Sequence, residues 1–141
     1  VTASQYIRWL PNSITKHVSA PNIVRVPAAS FRGRYVSPRP SYRGMDAQRG
    51  IILLSEGACE STIAHEWRHH WQNDAGWTWS HKKFDRSLSY VDAVVQYFRQ
   101  PHEFDALVFQ HKIAPTAVTS FRLSCVCPPL SLSGRIYSLP L

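Results

Sequence analysis

The chain has 141 residues, 44% of them hydrophobic and 18% charged, the profile of one folded domain rather than of a disordered segment or two domains. Lys and Arg number 16 against 9 acids, a net charge of +7, and no apolar run approaches the ~18–20 residues a membrane span requires. The imbalance is local. Residues 1–50 carry eight basic side chains (Arg8, Lys16, Arg25, Arg32, Arg34, Arg39, Arg43, Arg49) and one acid, Asp46, whereas residues 51–141 carry eight of each sign.

In chain order, residues 3–10 read as a short helix stopped by Pro11. Residues 23–26 (Ile-Val-Arg-Val) and 31–35 (Phe-Arg-Gly-Arg-Tyr) read as strands between Pro21, Pro27 and Pro38. Residues 37–50, rich in Pro, Arg, Ser and Gly, read as a mobile basic loop. Ile51-Ile52-Leu53-Leu54, introduced by Gly50, is a continuous apolar run, as expected of a strand covered on both faces.

The period turns helical near Ser61 or Thr62, either of which suits an N-cap, and Gly76 suits the stop. A polar, aromatic-studded connection follows over 77–86. Leu88, Val91, Val95 and Phe98 then fall at helical spacing. Pro101 suits the first turn of a third helix that runs to about Ala114 and is ended by Pro115. Residues 116–141, rich in Ser, Leu and Pro, read as an irregular wrap or a short strand. Cys59, Cys125 and Cys127 make an odd set with no disulfide framework, which suits a reducing, cytoplasmic setting. The single residue between the last two is not the gap of a zinc knuckle, so free thiols are expected.

The chemistry concentrates in His65-Glu66-Trp67-Arg68-His69. Histidines four apart on a helix stack one turn above the other, so both imidazoles can reach one ion. Glu66 lies roughly 100° round the helix, beside that ion, where a carboxylate can take a proton from water. Ile63, Ala64, Trp67 and Trp71 fall on the side away from the two ligands and are expected to pack on the sheet.

A catalytic zinc takes three protein ligands and leaves a position for water. The best third ligand is Glu103, 34 residues after His69 and at the start of the third helix. His102 is an alternative ligand. Asp105 is either another ligand or a carboxylate that orients an imidazole. Tyr97, His102, Tyr90 and His81 are candidates for stabilising an oxyanion. Trp77 and Trp79 suit either a substrate groove or a cover over the core.

These segments resemble the small gluzincin metallopeptidases, minimal zincins that include repressor-inactivating proteases of mobile elements and related radiation-response regulators. The likeness rests on His65–His69, the strand before it, and a second motif kept in order by Glu103, Asp105, Ala106, Phe109 and Pro115, and it spans roughly residues 20–115. It implies an α+β domain over residues 1–115, with a small twisted sheet, an active-site helix and a backing helix, followed by a tail over 116–141. It further implies a Zn2+-dependent peptidase acting on a protein or peptide substrate, with His65, His69 and Glu103 as ligands, Glu66 as general base, and a cytoplasmic or phage-particle location. Trp67, Arg68 and the His70-Trp71 pair depart from the smaller residues common in the first motif.

Two other classes compete. One is a zincin-fold structural or assembly protein, such as a phage component, with little turnover. The other is a basic nucleic-acid-associated module, since the first 50 residues mix Arg with Tyr6, Trp9, Phe31, Tyr35 and Tyr42. The same surface suits docking on an acidic partner.

Overall fold

A computed structural model describes residues 20–27 and 30–127. The helix expected over 3–10 and the end of the tail, 128–141, lie outside the described residues. The described part is a small α+β arrangement of short strands followed by four helices.

Three strands, β1 (Asn22–Arg25), β2 (Gly33–Val36) and β5 (Ile51–Leu54), form one sheet in the order β1-β5-β2. β5 runs parallel to β1 and antiparallel to β2. As the central strand it is buried at all four positions, which is why it reads as an uninterrupted apolar run. Its alternating side chains serve two cores. Ile52 and Leu54 pack with Ile63, Ala64, Trp67 and Phe109, whereas Ile51 and Leu53 pack with Val36 and Ala47.

The second core corrects the reading of residues 37–50 as a mobile loop. They contain a hairpin, β3 (Ser41–Tyr42) and β4 (Met45–Asp46). Its two turn residues, Arg43 and Gly44, both have positive φ (49° and 79°), the backbone a two-residue hairpin favours. Tyr42, Met45 and Ala47 cover the sheet face carrying Ile51 and Leu53. Arg39 and Arg43 lie over the Tyr42 ring at 5.7 and 5.2 Å. This basic segment therefore packs on the face of the sheet opposite the helices that carry the histidines, rather than beside them.

Helix α1 (Glu60–Asp74) starts earlier than Ser61 or Thr62 would set it. Cys59 is the N-cap, and Thr62 reaches back to the Cys59 N–H. Ile63, Ala64 and Trp67 face the sheet as expected, but Trp71 is outside that cluster. It is held instead under the Arg68 guanidinium at 3.8 Å and against Trp77.

Helix α2 (Tyr90–Phe98) is capped by the Ser89 hydroxyl, which accepts from the Asp92 N–H. It buries Ala93, Val94 and Phe98, while Leu88 and Val91 of the anticipated stripe are exposed. The helix is rotated from that stripe because Val94 and Phe98 close on Leu107 of helix α3 (Pro101–Ile113). Residues 117–126, anticipated as irregular or a short strand, form helix α4, capped reciprocally by Thr116 and Thr119. Leu123, Cys125 and Val126 pack on the Val94–Phe98–Leu107 cluster. That burial and the cap outweigh the β-branched and Ser content of the segment. Cys59, Cys125 and Cys127 are free thiols. Among the described residues no helix is long and apolar enough to cross a membrane.

Candidate metal centre

Helices α1 and α3 pack against each other, and a polar seam runs beside the apolar packing of Trp67 and Phe109. His65 and His69, one turn apart on α1, direct Nε2 atoms toward one point, 3.2 Å from each other. Glu103 enters from the first turn of α3, with Oε2 3.1 Å from His65 Nε2 and Oε1 2.9 Å from His69 Nε2. The three donor atoms lie within 4.8 Å of one another, so the set can hold a metal ion.

The outer ring nitrogens decide which way the lone pairs point. Gln72 Nε2 donates to the His102 carbonyl and to Asp105 Oδ2, both at 2.8 Å. Its Oε1 is thus left to accept from His69 Nδ1 at 2.9 Å. On His65 the same role falls to Gln110, whose Nε2 donates to Ser61 Oγ at 2.9 Å and whose Oε1 accepts from Nδ1 at 3.0 Å. With Nδ1 carrying the proton on both rings, each Nε2 offers its lone pair inward.

Two inward lone pairs beside a carboxylate that is almost wholly buried form a site that requires positive charge. Without an ion a proton fills part of that need. Burial disfavours a charged His69, but Glu103 and then Glu66 outweigh it and raise its pKa to about 9. Burial also opposes the Glu103 charge, and the hydrogen bonds from His65 and His69 override it, holding that carboxyl far below the usual range. The donor chemistry, imidazole with carboxylate, fits zinc and similar divalent ions.

Glu66 is buried and lies at the same centre. Burial pushes its carboxyl up, the charges of His65 and His69 pull it down, and the Tyr35 N–H of β2 contributes a hydrogen bond. Tyr97, from α2, faces Glu103. Burial first, then the Glu103 and Glu66 charges, push its phenol far above the ordinary range, so it stays a neutral donor.

The remaining candidates separate. Asp105 does not reach the centre: it takes two bonds from Arg68, at 2.7 and 3.1 Å, and acts on His69 through Gln72. His102 does not complete the His65–His69 set: its Nε2 faces His81 at 3.2 Å and lies 3.7 Å from Glu103 Oε1. Tyr90 is remote, stacked on Phe121 of α4. Trp79 stacks on the His102 ring, centroids 4.8 Å apart and planes 7° apart. Together with Trp77, Lys82, Arg99 and Gln100 these two rings line a cavity of about 450 Å³. Trp77 and Trp79 thus line this cavity, and Trp79 also covers buried His102.

The orienting roles of Gln72, Gln110 and Ser61 are absent from the sequence reading, although spacing carries a signal for the two glutamines. Gln72 follows His69 by three residues on one helix, and Gln110 follows Glu103 by seven, two turns along the same face. No protein-family model, curated protein or solved structure matches the chain, so a functional reading rests on the geometry of His65, His69 and Glu103 with the side chains that orient them.

Proposed function

We propose that this protein is a zinc-dependent peptidase of the small gluzincin type, built as a minimal zincin in which α1 is the active-site helix and α3 the backing helix. The observation that carries the reading is the convergence of His65 Nε2, His69 Nε2 and Glu103 on one point, with buried Glu66 alongside. His65, His69 and Glu103 would hold the ion. When bound there, zinc supplies Lewis-acid activation of a water and of a peptide carbonyl.

The chain's own groups supply the rest. Glu66 accepts the proton of the attacking water and delivers it to the amide nitrogen as the C–O bond forms and the C–N bond breaks. Burial raises its carboxyl in the metal-free protein, and a bound dication would draw it back toward the ionised form that a general base needs. Tyr97, neutral at working pH, donates to the oxyanion of the tetrahedral intermediate. The cavity beside Trp79 and His102 receives a substrate side chain, with an aromatic wall for apolar contact and Lys82 and Arg99 at its margin.

Untagged protein assayed against a peptide library by mass spectrometry tests the proposal. Cleavage should disappear on chelation and return with added zinc. Absence of zinc-dependent cleavage from a library of broad sequence coverage would contradict it.

A further inference from the structure

Across Glu103 from the His65–His69 pair stands a second pair of imidazoles. His81, in the connection between α1 and α2, brings Nδ1 to 3.2 Å from His102 Nε2, the same separation as between the Nε2 atoms of His65 and His69. His102 Nε2 lies 3.7 Å from Glu103 Oε1. The donor atoms of His81, His102 and Glu103 also lie within 4.8 Å of one another. Glu103 belongs to both sets.

The His102 ring has one contact at hydrogen-bonding distance, Nε2 to His81, which does not by itself fix how the ring sits. The residue is only 2% exposed, yet Nδ1 is buried with no hydrogen-bond partner among the described residues. Packing sets the ring instead: Trp79 covers one face almost in parallel, and Gln72 pins the His102 carbonyl. The nitrogen that packing aims inward meets only another imidazole and a carboxylate. What points to a cation is the convergence of His102 Nε2, His81 Nδ1 and a Glu103 oxygen on one point, since two imidazole nitrogens and a carboxylate gathered together form a ligand set for a divalent ion.

We propose that His81, His102 and Glu103 form a second divalent-metal site, joined to the first by Glu103 as a bridging carboxylate. The inference rests on reading His65, His69 and Glu103 as a metal centre. Two imidazoles and one carboxylate select a transition ion of the zinc, cobalt or nickel class over calcium or magnesium. Three protein ligands leave a position open, and the cavity that His102 helps to line gives it access to solvent and to oxygen donors of a bound ligand. His81 is exposed on a connection, whereas His65 and His69 are held on a helix by buried amides. The second ion therefore loads last and leaves first.

The test is metal titration of untagged, chelator-stripped protein with Co2+, followed by equilibrium dialysis and electron paramagnetic resonance. Wild type should take two equivalents in two affinity steps, and His81→Ala, a change at an exposed side chain, should take one. The signal per cobalt should fall as the second equivalent enters, because ions sharing a carboxylate couple magnetically. Saturation of both wild type and His81→Ala at one equivalent would overturn the second site and leave the first standing. Two equivalents with strictly additive signals would overturn the Glu103 bridge. A His69→Ala protein that still took two equivalents would instead contradict the first centre.

Discussion

Gln72 Oε1 accepts from His69 Nδ1 at 2.9 Å while its Nε2 is held by Asp105 and by the His102 carbonyl. One amide thus fixes the tautomer of a candidate ligand and ties the helix carrying it to the helix carrying Glu103. Gln72→Leu keeps the volume but removes both functions. Zinc affinity should fall by about 10–100-fold, the usual effect of losing a group that orients a metal-bound imidazole. Competition against a fluorescent chelator measures this directly, and an unchanged affinity would refute the role of Gln72. Gln110→Leu should act likewise through His65.

Arg68 and Asp105 form a two-point ion pair across the α1–α3 contact, and both are buried. The Arg68 guanidinium also stacks on Trp71 at 3.8 Å. Arg68→Ala leaves the Asp105 carboxylate buried without its main partner, and stability should drop by about 3–5 kcal/mol. Arg68→Ala with Asp105→Ala should be less damaging than Arg68→Ala alone. Urea denaturation of the three variants checks both statements. Equal losses in the single and double variants would mean that the pair contributes only as packing.

Gly33 lies where β2 meets α1. A methyl group there would come within 2.6 Å of Thr62 Cγ2 and 2.9 Å of Glu66 Cγ. Gly33→Ala must therefore shift the strand or the Glu66 side chain, at a cost of about 1–3 kcal/mol. Turnover should suffer more than metal binding, because Glu66 is displaced while His65, His69 and Glu103 are untouched. Steady-state cleavage rates compared with zinc content will show it, and a proportional loss of both would argue against this placement of Glu66.

Much of the centre was legible before the structure, and the reason is periodicity. His65, Glu66 and His69 share a helix, so spacing alone relates them. β5 announced itself because a strand buried on both faces cannot alternate. Pairings across elements were not legible. That Asp105 meets Arg68 and Gln72 depends on how α1 lies on α3, which no local pattern encodes. The same holds for α2, whose buried face was set by Leu107 and the α4 residues Leu123, Cys125 and Val126 rather than by its own stripe. Helix α4 was not legible because Ser, Thr and β-branched residues are weak helix formers, and its main local signal is the single Thr116 cap. The hairpin at 41–46 was missed because Arg43-Gly44 lacks the Asn or Asp that marks such turns.

The pH dependence of the metal-free protein follows from His69. Its folded pKa, about 9, stands above the ordinary 6.5, chiefly because Glu103 overrides the effect of burial. The folded state then holds a proton that the unfolded chain releases, so this contribution is complete below pH 6.5 and lost as pH rises through 9. Glu103, held below its ordinary 4.5, contributes in the opposite sense: its share is present above 4.5 and lost toward acid. Melting temperatures of chelated protein should therefore fall from pH 6.5 to pH 9. Zinc-loaded protein should lack that alkaline decline, because the ion replaces the proton. Parallel declines in both forms would contradict this origin.

The proposed activity requires both a metal centre and Glu66 as the proton carrier. Glu66→Gln separates the two, since the amide keeps the shape of the side chain but cannot accept the proton. Zinc content and peptide cleavage measured on the same preparations of wild type and Glu66→Gln give the most direct answer. Zinc content should be equal in the two proteins, with cleavage by Glu66→Gln reduced at least ~10²-fold. Equal zinc and equal cleavage, or no zinc in either protein, would contradict the proposed activity.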